Sequence, residues 1–284
     1  MAVKIGVVDV GSNTIRLLLA RVEGDVIEPL EKERVRLALG AEIERTGVVS
    51  DVSVATAAKA VRRLCGLARS DGAERLDVFL TAPGRQSANA EQLVEALAKA
   101  ASHAVRILST EEEGRLAFAG AVATAGVALP HPIAVCDVGG ASTEIAVGDP
   151  ASEPRWVRSI DLGSVRLTER GGDPRAEASK ALAGLEPPAV EGALAVGGSA
   201  RAARRLVGPC LRSSELAEAL RIVETEREQT ISRRYGVHRT RVKILPAGLV
   251  LLAEVQALLG VPLRVCDGGI REGAVLAGAA QLAA

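Results

Sequence analysis

The chain has 284 residues, 35 Lys and Arg against 35 Asp and Glu, and 48% hydrophobic content. That composition is globular, and at roughly 100–200 residues per domain the length allows one large domain or two modest ones with self-sufficient cores. A formal charge of zero argues against a broad nucleic-acid footprint, which needs a basic excess, and with only Phe79, Phe118, Trp156 and Tyr235 as aromatics there is no base-stacking platform.

Met1 to Ile5 lacks the basic and apolar regions of a secretory leader, and no run reads as a membrane span. Cys65, Cys136, Cys210 and Cys266 are far apart and form no CxxC pair, so they read as reduced thiols of a cytoplasmic protein.

In chain order, residues 3–20 predict a β-hairpin around Asp9-Val10-Gly11. A helix capped by Ser50 or Asp51 carries Val54, Ala57, Val61, Leu64 and Ala68 at helical spacing. Leu76–Leu80 reads as a strand, Asn89 as the cap of a helix with Leu93 and Leu97, and Val105–Leu108 as another strand. Thr110 opens a helix through Glu111, Glu112, Glu113 and Leu116. Leu129-Pro130-His131-Pro132 is the expected boundary between domains 1–128 and 129–284. A second hairpin at 133–148 follows, then a strand at Trp156–Ile160, a strand running into a glycine turn at Leu194–Gly198, and a helix through Arg201–Leu206. Ser213 or Ser214 caps a charged helix reaching Gln229, Leu249–Leu259 forms the next helix, and strand Leu263–Cys266 leads to a final Ala-rich helix.

The two hairpins repeat each other. Asp9-Val10-Gly11-Ser12-Asn13-Thr14 and Asp137-Val138-Gly139-Gly140-Ala141-Ser142 each end an apolar strand on Asp-Val-Gly and continue into small polar residues. Glycines let backbone N–H groups approach an anion, and hydroxyls add donors. The Asp side chains would repel a bare phosphate, so a bridging cation is implied, Mg²⁺ held through water and phosphate oxygens. A lone copy reads as an ordinary hairpin turn. Two copies in register read as a phosphate site, with Gly11, Ser12, Asn13, Thr14, Gly139, Gly140, Ala141 and Ser142 as its donors and Asp9 and Asp137 at the cation.

Taken with Arg85 and Asn89, Glu112-Glu113-Gly114-Arg115, Thr143-Glu144, Asp161 to Thr168, Gly197 to Arg201 and Gly269 to Gly273, these motifs resemble, in order, those of the Ppx/GppA family of exopolyphosphatases and guanosine pentaphosphate phosphohydrolases. The resemblance implies an α/β fold of duplicated actin-like (ribonuclease H-like) domains facing across a cleft, with a final helix able to pack back on the first. It implies Glu113 as the catalytic base, Glu144 beside Asp9 and Asp137 at the metal or its water, and Arg85 on phosphate. The competing role for Glu113 is a capping box with Thr110. Arg166, Arg201 and Arg271 are weaker phosphate candidates, and His103, His131 and His238 are assigned no chemistry.

The implied cofactor is Mg²⁺ or another divalent cation, and the implied partners are inorganic polyphosphate or guanosine pentaphosphate. Nucleic acid and membrane are not expected partners, and a homodimer is left open. Polyphosphate is expected as the preferred substrate, because no aromatic lies in Gly197-Gly198-Ser199 or the helix after it, whereas Arg16, Arg85, Arg115, Arg166, Arg201 and Arg271 lie in or beside the motifs. A kinase of the same superfold and a weakly catalytic binding regulator are the competing readings. Two departures from the family pattern bear on turnover: Ala141 stands where a third glycine is usual, and Pro83-Gly84 alters the segment before Arg85.

Overall fold

A computed structural model describes residues 2–283. The first half forms strands β1 (Val3–Val10), β2 (Thr14–Glu23) and β3 (Val26–Arg36), helices α1 (Leu39–Thr46) and α2 (Asp51–Ser70), strand β4 (Arg75–Leu80), helices α3 (Ala82–Gln86) and α4 (Ala90–Ala101), strand β5 (Arg106–Ile107) and helix α5 (Thr110–Ala123). Then come β6 (Ile133–Val138), β7 (Thr143–Gly148), β8 (Trp156–Ile160), α6 (Ser164–Arg170), α7 (Pro174–Leu182), β9 (Gly192–Val196) and α8 (Gly197–Val207). The chain closes with β10 (Cys210–Leu211), α9 (Ser213–Thr225), α10 (Glu228–Tyr235), α11 (Arg239–Leu259), β11 (Leu263–Val265) and α12 (Ile270–Ala283).

The repeat seen in the two hairpins extends to whole sheets. The first sheet runs β3-β2-β1-β4-β5 and the second β8-β7-β6-β9-β11-β10. In each, an antiparallel hairpin gains a third antiparallel strand on one side and a parallel neighbour on the other. The α/β fold class is therefore as expected. β1 and β6 are the inner strands of these hairpins, so Asp9 and Asp137 fall at matching strand ends.

Each half lends a helix to the other. Ala117, Phe118 and Ala121 of α5 pack with Ile133, Val135, Ala146, Leu194 and Val196 of the second sheet. Ala274 and Val275 of α12 pack with Ile5, Val7, Leu18 and Phe79 of the first. The two helices meet backbone to backbone: a Cβ on Gly120 would collide with the Gly269 carbonyl oxygen and lie 2.6 Å from the Gly273 nitrogen. Only glycine permits that approach.

Several elements differ from their sequence expectation. α11 begins at Arg239, ten residues before the expected Leu249, and continues through Pro246. At that length it is apolar enough to cross a membrane, which no run was expected to be. Its Val242, Leu245, Leu249, Leu251, Leu252 and Val255 instead fill the core of the second sheet. The charged helix expected from Ser213 or Ser214 to Gln229 breaks into α9 and α10, and Arg212 occupies its N-cap position. Asn89 stands at the N-cap of α4 without capping it; its amide group instead bonds the backbone of Val49. All four cysteines are free.

Candidate active site

The two glycine turns close in the same way. Gly11 N–H donates to Thr14 C=O (3.1 Å) and Gly139 N–H to Ser142 C=O (3.0 Å). Each turn also accepts from the segment behind it: Gly40 N–H donates to Ser12 C=O (2.8 Å), and Val165 N–H to Gly140 C=O (2.7 Å). The turns face each other so closely that a Cβ on Gly140 would lie 3.0 Å from Ser12 Cβ.

One pocket gathers Gly11, Ser12, Asn13 and Thr14 from the first turn and Gly139, Gly140, Ala141 and Ser142 from the second, with Asp9, Asp137, Glu113 and Glu144 among its walls. Ala141 departs from the triple-glycine pattern without cost, because Ser102 is the sole non-glycine residue with positive φ among the described residues. The tight position is Gly163, where a Cβ would sit 2.5 Å from Ala141 N and Gly140 C. Both are backbone atoms held by the turn. Gly163→Ala is therefore expected to lower stability by roughly 1–3 kcal/mol, the usual range for overpacking, and to lower activity with it. Ala141→Gly is expected to leave activity unchanged; thermal melts beside rate measurements check both.

The helix that carries Glu113 is capped by its neighbours. Ser109, not Thr110, is the N-cap of α5: its hydroxyl accepts from Glu112 N–H (3.1 Å), and Glu112 accepts from Ser109 N–H (2.8 Å). The capping box expected at Thr110–Glu113 is thus one residue out of register. Glu113 is left pointing inward, and its residue is 5% exposed.

Its carboxylate accepts from Arg85 Nη2 at 2.7 Å, and Arg85 Nη1 donates to Leu108 C=O at 2.7 Å. Arg85, the expected phosphate contact, is bonded to Glu113, whose side chain stands in the pocket wall. The short helix α3, with Pro83 in its first turn, carries that arginine. Burial raises the pKa of Glu113 to about 7 against the attraction of Arg85, and the charges of Asp9 and Asp137 push the same way as burial. Burial also raises Asp9 and Asp137. Glu144 is pushed well up by burial and by Glu113 and Asp137, although Ser159 Oγ donates to it at 2.8 Å.

Arg16 and Arg241 line the same space and form no ion pair among the described residues. Arg16 is lowered to about 9 by burial and by neighbouring Arg271 and Arg201. Arg241 is lowered to about 10 by burial, Arg201, Arg36 and Arg34. Guanidinium groups crowded by one another and away from water are electrostatically completed by an anionic ligand. Arg241 lines the pocket but carried no recognisable motif in the sequence, and Thr81, from the segment that leads to Arg85, lines it too. Of the arginines in or beside the motifs, Arg115 pairs with Glu111 and Glu153, and Arg166, a weaker phosphate candidate, bonds Glu44.

Among the described residues no three His, Cys, Asp or Glu side chains converge as a ready metal cage. Two buried Asp carboxylates opposite each other nevertheless suit Mg²⁺, which keeps most of its waters and takes one or two carboxylates plus phosphate oxygens. The donor set fits such a cation.

Duplicated sheets with a glycine turn from each half define an actin-like fold. The chain belongs to the Ppx/GppA phosphatase family, whose model matches residues 18–191. It is 27% identical over 302 residues to exopolyphosphatase 1 of Mycobacterium bovis, covering 96% of this chain and 87% of that protein. Over 291 residues it is 25% identical to the guanosine-5'-triphosphate,3'-diphosphate pyrophosphatase of Pseudoalteromonas atlantica, covering 94% and 57%. For that enzyme and for other curated relatives, including exopolyphosphatase 2 of Mycobacterium tuberculosis, the match spans little more than half of the relative's length. The crystal structure of the Aquifex aeolicus family member superposes with a TM-score of 0.84 at 21% identity, covering 99% of each chain.

Proposed function

We propose that this protein is a Mg²⁺-dependent hydrolase of the terminal phosphoanhydride of inorganic polyphosphate, releasing orthophosphate in the cytoplasm. The observation that carries the reading is Glu113, a buried carboxylate held by Arg85 in the wall of a pocket shared by two glycine turns. In this reading the cleft separates units 1–128 and 129–284.

The terminal phosphoryl group lies between the turns, where N–H groups and the hydroxyls of Ser12, Thr14 and Ser142 hold its oxygens. Glu113 takes a proton from water as the water oxygen attacks phosphorus; the bridging P–O bond breaks, and its electron pair leaves with the shortened chain. Arg16 and Arg241 stabilise the charge of the departing phosphate. Asp9, Asp137 and Glu144 would hold Mg²⁺ through water, and the ion would neutralise phosphate charge when bound. Arg85 acts through Glu113 as a positioning residue.

Guanosine pentaphosphate has the same terminal anhydride, and the name of the Pseudoalteromonas relative keeps it as the second reading. Polyphosphate is favoured because no aromatic side chain lines the pocket to receive a base. Phosphate release from polyphosphate, guanosine pentaphosphate and ATP, each with and without Mg²⁺, tests the assignment. A higher kcat/KM for the nucleotide overturns the substrate choice, and absence of release from all three overturns hydrolysis.

The pH dependence follows from the same carboxylate. A base must be deprotonated, so activity is expected to be low on the acid side and to rise as pH passes about 7, the value to which burial raises Glu113. The groups facing it are Arg85, Asp9, Asp137 and Glu144. Of these only Arg85 lowers its pKa, so Arg85→Gln is expected to move the acid limb to higher pH as well as to slow turnover. A pH–rate profile of both proteins is the measurement; superimposable acid limbs would show that Arg85 does not set the base.

A further inference from the structure

β3 is the outer strand of the first sheet, and its two faces differ in charge. Lys32, Arg34 and Arg36 occupy one face and are exposed, whereas Glu31, Glu33 and Val35 occupy the other. Glu33 is neutralised by Arg63 at 2.9 Å. Lys32, Arg34 and Arg36 form no ion pair among the described residues. Asp267, the acid that senses Lys32, is already engaged by Arg204 at 2.7 Å.

The register ties that basic face to the cleft. Asp9 of β1 pairs with Arg16 of β2, and Arg16 pairs with Arg34 of β3; Thr14 pairs with Arg36. Directly paired residues project from the same face of a sheet. Asp9, Thr14 and Arg16 line the pocket, so Arg34 and Arg36 continue the pocket's own row to the open edge of the sheet. Same-face positions along the strand recur about every 6.8 Å, a regular spacing of positive charge.

We propose that Lys32, Arg34 and Arg36 form a track that binds the inner phosphates of a linear polyphosphate whose end lies in the cleft. The inference rests on the function proposed above and extends it from the reacting group to the rest of the polymer. A polymer longer than the pocket must leave it somewhere, and this edge presents unpaired cations continuous with the site. Arg241, near the start of α11, lines the pocket from which the track departs. A nucleic acid is disfavoured, because no aromatic side chain lines the pocket from which the track departs.

The test is calorimetric binding of long-chain polyphosphate and of tripolyphosphate, in chelator so that neither is turned over. The parent is expected to bind the long chain more tightly, with an affinity that falls steeply as salt rises. Arg34→Gln with Arg36→Gln is expected to weaken the long-chain affinity about tenfold, to reduce the salt slope, and to shrink the ratio between the two ligands. Arg34→Lys with Arg36→Lys, which keeps the charge, is expected to restore most of that ratio. Lys59→Gln with Arg62→Gln on the outer face of α2 makes the same charge change elsewhere and is expected to leave the ratio alone.

Equal affinity of the parent for both ligands, or equal losses in the β3 and α2 variants, overturns the track. So does a single-stranded oligonucleotide that competes as well as long-chain polyphosphate. Phosphate release with Mg²⁺ is read separately: hydrolysis with no chain-length effect on binding removes the track alone, while chain-length-dependent binding without hydrolysis supports the track and removes the proposed reaction.

Discussion

Replacing Glu113 by Gln is expected to lower phosphate release by about 10²–10⁴-fold, the usual contribution of a general base, while the protein stays folded. The amide can still accept from Arg85 but cannot take a proton from water. Helix α5 does not depend on this side chain, since Ser109 and Glu112 complete its capping box. The sign of the stability change follows from the raised pKa: protonated Glu113 is the form that burial favours, so its contribution is fully present below the ordinary glutamate pKa and is lost as pH rises through about 7. A neutral Gln does not undergo that loss. Above neutrality the variant should therefore melt at the same temperature as the parent or higher, while turning over far more slowly. A variant that melts early and loses activity in proportion would instead make Glu113 a structural residue.

Much of this pocket was legible in the sequence because duplication wrote it twice. The Asp-Val-Gly turns at Asp9 and Asp137 gave matched positions that a single turn could not, and the structure brings both turns into one wall with Glu113 and Glu144. What could not be read depended on tertiary partners or on local rules that the fold overrides. Strand β3 is mostly charged and edge-exposed, so alternation of Lys and Arg with Glu carries no apolar signal of a strand. Pro246 removes a donor and ordinarily ends a helix, which concealed the first turns of α11 and with them Arg241. The Ser109 and Thr110 caps differ by one residue, and the choice between them decides whether Glu113 or Glu112 is free. Arg85 lay in the expected motif, but its partner was fixed by α3 and by the buried carboxylate opposite.

Asp9→Asn and Asp137→Asn should each raise the Mg²⁺ concentration needed for half-maximal activity by about 10–100-fold, the range typical of groups that support a metal beyond direct ligation. Both carboxylates end inner strands, and both have pKa values raised first by burial; for Asp137 the charge of Glu272 adds to this, and for Asp9 the charges of Asp137 and Glu272. A turn that needed only backbone geometry would have no use for a charge so poorly hydrated, because Asn closes the same kind of turn. The backbone around Asp137 is shaped to its carboxylate: Gly197 has φ of +88°, and a Cβ there would collide with Asp137 Oδ1. Stability should move opposite to activity. An acid whose folded pKa is raised loses its stabilising contribution as pH rises, so a neutral amide of the same shape should leave the melting temperature at neutral pH unchanged or increased. Metal titrations of phosphate release, set beside thermal melts of the same proteins, separate the two roles. Loss of Mg²⁺ sensitivity with an intact fold assigns both aspartates to the cation, whereas unchanged metal dependence in both variants would reduce the paired motifs to hairpin turns.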